Sequence, residues 1–135
     1  MRLGFDATAP VSPNLGAVFI DDDSLTAVNR DYRVNWPWPR QLHGQVIREL
    51  KGQGAKAVGF DIRFGELHPP NPATAVEVPG EGRLESDDYF ARQLRETGNV
   101  VLAAMGETTN RVWHALMPAD LFRTNAAATA HIVSD

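Results

Sequence analysis

Residues 16–64 read GAVFIDDDSLTAVNRDYRVNWPWPRQLHGQVIRELKGQGAKAVGFDIRF, and this stretch decides the fold. Ala17 to Ile20 is a short apolar run bounded by Gly16 and by Asp21, Asp22 and Asp23, which predicts a strand buried on both faces. Ala57 to Phe64 predicts a second strand, apolar around Gly59 and therefore central in its sheet, with Asp61 as its odd residue. A helix lies between them. Pro39 suits its first turn, Leu42, Val46 and Leu50 recur every four residues, and Ile47 widens the apolar stripe. Arg48 and Lys51 complement its negative end, while Gly52 and Gly54 supply a left-handed exit. Strand, helix and strand make a βαβ unit whose crossover permits parallel, right-handed pairing. The expected class is α/β: a three-layer domain with a mainly parallel sheet built from βαβ units and helices packed on it.

Working outward, Met1 to Gly16 has Pro10, Pro13 and Gly16 without a sustained period and reads as an irregular lead-in. Ser24 to Asn35 holds enough apolar spacing for a turn or a short helix. Gly65 to Glu85 carries four prolines and three glycines, so it is a long loop and neither regular helix nor central strand. Ser86 is expected to cap a helix with Asp87 and Asp88 in its first turn, Phe90, Ala91 and Leu94 on its buried side, and Gly98 at its end. Val100 to Met105 predicts a core strand, Arg111 to Met117 a strand or hairpin arm, Pro118 to about Ala128 a helix, and His131 to Val133 a short strand.

The 135 residues, 43% of them hydrophobic, suffice for one core of ordinary size, so residues 1–135 are expected to form a single domain. A net charge of -4 offers no broad basic field for phosphate backbones, which argues against nucleic acid. The absence of cysteine removes disulfides, thiol catalysis and thiolate metal sites. No apolar run approaches the roughly 20 residues of a membrane helix, and the first ten residues lack the layout of a signal peptide.

Asp21, Asp22, Asp23 and Asp61, at the ends of two adjacent strands, would direct carboxylates into one crevice, where they suit a hard cation or a hydrogen-bonding ligand. The competing reading is structural: an aspartate after a strand caps the following turn, and Asp61 pairs with Arg40 or Arg63. Asp21 and Asp23 also match the Asp-x-Asp that opens haloacid-dehalogenase-like phosphatases, but a Mg-dependent phosphotransfer site needs a later lysine and a further acidic pair after a strand. Lys51 and Lys56 both precede the second strand, and Asp87-Asp88 opens a helix. Trp36 and Trp38, alternating with prolines, favour an extended segment with the indoles directed apart, either a stacking platform or a latch for the next helix. Arg40 at a helix start is electrostatically misplaced and calls for an acidic partner, Asp21 or Asp61, or an anionic ligand. The four histidines show no zinc spacing and read as solvated or singly bonded. No Gly-x-Gly follows Ile20 and no nucleophile elbow surrounds Ser24. No cofactor or metal is implied.

The order VFIDDDSL, WPWPR, a helix, GAKAVGFDIRF, SDDYFARQL, GNVVLAAM and LMPADLFRTNAAATAHIVSD resembles the type-two CHASE domain, the cyclase/histidine-kinase-associated sensory extracellular module of bacterial receptors. The most specific matches are Asp21 and Ser24, the Trp38-Pro39-Arg40 block, and Phe60, Asp61 and Phe64. The resemblance implies a non-catalytic extracytoplasmic sensor domain, held by membrane helices that this chain does not contain. Its output module would be a two-component kinase, an adenylate cyclase or similar. It also implies a module that continues past Asp135, so that the chain is a fragment. An unknown small-molecule or ionic signal is the expected partner, with homodimerisation open. The ligand-binding candidates are Asp21, Asp22, Asp23, Ser24, Trp38, Arg40, Asp61 and Glu66, with a structural or dimerisation module lacking a ligand site as the alternative. The movable part of such a sensor would be the loop from Gly65 to Glu85, closing over the strand ends.

Overall fold

The computed structural model describes residues 2–4 and 12–132, so most of the lead-in and Val133 of the expected last strand lie outside the described residues. The chain divides into two compact units, Met1–Trp38 and Pro39–Asp135.

In the first unit, β1 (Arg2–Gly4) pairs antiparallel with β2 (Ala17–Phe19), Leu3 opposite Val18. This corrects the expected parallel pairing of the Ala17 run with the Ala57 run. Nor is β2 buried on both faces, since Ala17 and Phe19 are exposed. The lead-in, read as irregular, supplies the strand it pairs with. Asp21 then caps α1 (Asp22–Tyr32), a full eleven-residue helix in place of the turn or short helix expected. Trp36 and Trp38 meet edge to face, ring centroids 5.6 Å apart, and the Trp36-Pro37 peptide is cis. The indoles are therefore not directed apart.

The second unit begins with α2 (Arg40–Gly52), whose chain turns out through Gly54 at φ 93. Its most buried row is Arg40, His43, Gly44 and Ile47, spaced i, i+3, i+4, i+7, whereas the predicted Leu42, Val46 and Leu50 are only half-buried. β3 is short (Val58–Gly59), with one further bond from the Phe60 amide to the Val101 carbonyl. The rest of the predicted strand leaves the ladder. Its period-two pattern survives, however: Phe60, Ile62 and Phe64 turn to the core while Asp61 and Arg63 stay exposed.

Gly65 to Glu85 contains an antiparallel ribbon, β4 (Val76–Val78) with β5 (Gly82–Leu84), turning through Gly80 and Gly82 at positive φ. Next come α3 (Ser86–Thr97), closed by Gly98 at φ 66, and the long β6 (Val100–Thr109). β7 (Val112–Leu116) returns antiparallel. α4 (Asp120–Arg123) has four residues where a longer helix was expected. At its end the Thr124 hydroxyl and the Asn125 side-chain Nδ2 donate back to the Asp120 and Leu121 carbonyls, after which the Ala127 amide donates to the Val100 carbonyl and the chain enters β8 (Ala128–Ile132). β8 thus begins before the predicted His131.

β6 is the spine of the sheet. Val101 is matched by both Gly59 and Ala128, and Met105 by both Leu116 and Ile132. A residue has one neighbour on each side, so β8 flanks one side of β6 while β3 and then β7 occupy the other. Pairing is parallel with β3 and β8 and antiparallel with β7. The sheet is therefore mixed, β3 lies at its margin instead of its centre, and the parallel crossovers run through α3 and α4. Ile47, Phe64, Phe90, Ala91, Leu94, Val100, Leu102 and Phe122 form the core between these elements.

Candidate functional site

Asp21 Oδ1 accepts from both the Ser24 amide (2.9 Å) and the Ser24 hydroxyl (2.7 Å), so this Asp-x-x-Ser is a helix cap. Asp22 and Asp23 occupy the exposed first turn of α1, and Trp38 is buried. In the second unit Asp61 follows β3 and is exposed, as is Glu66. Of the candidates there, the structure joins only Arg40 and Glu66, and through the Glu66 carbonyl, not its carboxylate: Arg40 Nη2 donates to it at 3.2 Å.

Arg40 is the first residue of α2 and is 5% exposed. Its guanidinium carbon lies 5.0 Å from the Phe64 ring centre and 5.8 Å from that of Phe122, a cation–π seat that holds the stem in the core. Burial pushes its pKa below the ordinary arginine value, while the charges of Asp87 and Glu66 pull it back up. Asp87, not Asp61, is thus its main electrostatic counterpart.

Asp87 sits in the first turn of α3, where the helix favours an anion. It is 8% exposed, and its Oδ2 accepts from the His68 amide at 2.7 Å. Burial raises its carboxyl above the usual aspartate value, opposed by that bond and by the charges of His68 and Arg40. Two atoms here have no hydrogen-bond partner among the described residues, Arg40 Nε and Asp87 Oδ1.

The two helix starts are clamped side by side. Ser86 Oγ accepts from the Gln41 amide (2.9 Å) and donates to Gln41 Oε1 (2.7 Å). Ser86 therefore caps α2 instead of its own helix, whose N-cap Glu85 makes no side-chain bond. One turn along α2, His43 is 2% exposed and packs against Phe64 and Phe60 at centroid distances of 5.1 and 5.9 Å. Its pKa falls to about 4, mainly through burial and then through the Arg40 and His68 charges. His43 is therefore not solvated. Among the described residues no group of His, Asp and Glu is arranged to hold a metal ion.

Sequence reasoning missed Asp87 and His43. The signal for Asp87 was its register: Asp87, Phe90, Ala91 and Leu94 share one helix face.

The fold is thus a mixed α/β one, with Arg40 and Asp87 buried at the starts of two packed helices. The family of CHASE2 domains, extracellular sensory domains, matches residues 2–135, and this chain belongs to it. No curated protein and no solved structure matches the chain. No helix among the described residues is long and apolar enough to cross a membrane.

Proposed function

We propose that the chain is the sensory input domain of a bacterial membrane signalling receptor, placed outside the cytoplasm, receiving a small ligand and doing no catalysis itself. The observation that carries this reading is the match to a sensory extracellular family over residues 2–135. Residues 1–135 act together as one sensor domain, and kinase or cyclase chemistry belongs to an output module in other sequence. The test uses spheroplasts of cells making the full-length protein. Protease added outside should cut within Gly65 to Glu85 before lysis, and protection of that segment until lysis overturns the reading.

A dimerising module without a ligand site is the second reading, favoured by the exposed Val112, Trp113 and Met117 on and beside strand β7. Sedimentation of the parent and of Trp113→Ser separates the two: a dimer lost in the variant, with no ligand response in the parent, supports it.

A further inference from the structure

We propose that Gly65 to Asn71 is a strap that opens and closes on its own, latched to the starts of α2 and α3 by Arg40 and Asp87. The inference rests on the sensory reading and adds to it the part that moves between two states.

Both ends of the strap are fixed. Upstream, Phe64 is fully buried and its carbonyl accepts from the Ala119 amide at 2.8 Å. Downstream, the Asn71 carbonyl accepts from the Thr74 amide (3.0 Å) and hydroxyl (3.1 Å), and the chain passes into the β4–β5 ribbon, which Arg92 of α3 holds through Glu81. Between these points apolar burial contributes little. Among the described residues none from Gly65 to Asn71 is buried, and Leu67, its one large aliphatic side chain, is 53% exposed. Pro69 and Pro70 have no amide hydrogen to give. The hold is polar. Arg40 Nη2 donates to the Glu66 carbonyl at 3.2 Å, Asp87 Oδ2 accepts from the His68 amide at 2.7 Å, and Glu85 Oε2 accepts from the Asn71 amide at 3.1 Å. A buried cation thus grips an acceptor of the strap and a buried anion grips a donor, with only Leu67 between the two, while Ser86 and Gln41 hold the two helix starts together. A segment without buried apolar side chains opens at lower cost than the packed core. Opening breaks the latch, leaves Ile47, Phe90, Leu94 and Leu102 packed, and frees both charges for new partners. A sensor requires two such states with different affinity for its signal.

The test is residue-by-residue hydrogen exchange of the 15N-labelled chain by NMR, at several urea concentrations below the unfolding transition. The His68 amide is expected to be protected, yet to exchange at least about a hundredfold faster than the Leu94 and Leu102 amides. Its rate should be nearly independent of urea, as for a small local opening, whereas the Leu94 and Leu102 rates should rise steeply. In Asp87→Ala the His68 and Asn71 amides should both exchange at least about tenfold faster. Asn71 bonds to Glu85 and not to Asp87, so its acceleration reports the strap moving as one piece, which loss of a single bond does not produce. A His68 rate that follows Leu94 through the urea series overturns the proposal, since the segment then lets go only on global unfolding. An unprotected His68 amide in the parent overturns it too, as does an Asn71 rate unchanged in the variant. The parent's urea series decides the matter even if the variant fails to fold. None of these outcomes alters the spheroplast result, so loss of the strap and loss of the sensory reading are separate findings.

Discussion

At the scale of single residues, His43 sets a pH dependence whose sign follows from burial. Its ordinary pKa of 6.5 falls to about 4 in the fold. Between those values the unfolded chain binds a proton that the folded chain refuses, so stability drops as pH falls through that window and levels off below it. The full effect is on the order of 3 kcal/mol. Asp87 works in the opposite direction: its carboxyl is raised in the fold, so the folded chain takes up that proton first and gains stability on acidification. The His43 displacement is the larger, and urea unfolding is expected to show a net loss between pH 6.5 and 4.5. His43→Leu should flatten that slope; an equally steep slope in the variant would assign the acid sensitivity elsewhere. Ser86 carries a second prediction. Its hydroxyl satisfies the Gln41 amide at the start of α2, so Ser86→Ala should cost about 1–2 kcal/mol, the value of a lost cap. A smaller change in the denaturation midpoint would mean that water replaces the hydroxyl.

At the scale of elements, α2 and α3 meet at a glycine. A Cβ on Gly44 would lie 2.9 and 3.0 Å from the Cε1 and Cδ1 atoms of Tyr89, a ring that is itself buried, whereas one on Gly52 of the same helix meets nothing within 4 Å. Helix propensity favours alanine at either position by roughly 1 kcal/mol, but overpacking costs about 1–3 kcal/mol. Gly52→Ala should therefore stabilise, and Gly44→Ala should destabilise by about 1 kcal/mol, both read as shifts in thermal midpoint. Equal gains at the two sites would show that Tyr89 moves aside freely. The same pair of helices shows what the amino-acid pattern could and could not disclose. The positions of α2 and α3 were legible because apolar residues recur at helical spacing, and the Asp21 cap answers the structural reading, in which an aspartate after a strand caps the following turn. The buried row of α2 was not, since hydropathy ranks Leu42, Val46 and Leu50 above Arg40, His43 and Gly44, and only the tertiary fit to Tyr89 and the phenylalanines reverses that order. Likewise, the run from Ala57 to Phe64 has the alternation of a strand, yet ladder bonding depends on a partner that local sequence does not name.

At the scale of the molecule, partner choice is what the sequence left open, and it organises the second unit around β6. β2 found its partner in Arg2–Gly4, leaving β6 to gather β3, β7 and β8. Along β6 the surroundings change sharply. Val100 to Met105 runs through the core, with Val100, Leu102, Ala103 and Ala104 buried and β8 pairing from Val101 onward, while among the described residues Gly106 to Thr109 pairs with β7 alone and is exposed. Amide exchange reports such differences because exposed, singly paired backbone opens locally, whereas buried core strand opens only when the whole unit unfolds. Protection should therefore be highest from Val101 to Met105 and lower by at least about tenfold from Glu107 to Thr109, as measured residue by residue in deuterated buffer. A uniform profile along β6 would mean that the β7 hairpin is part of the cooperative core. In that case the exposed strand β7, with Val112 and Trp113, would be covered by a second copy in solution, and the dimerising reading would gain over the purely sensory one.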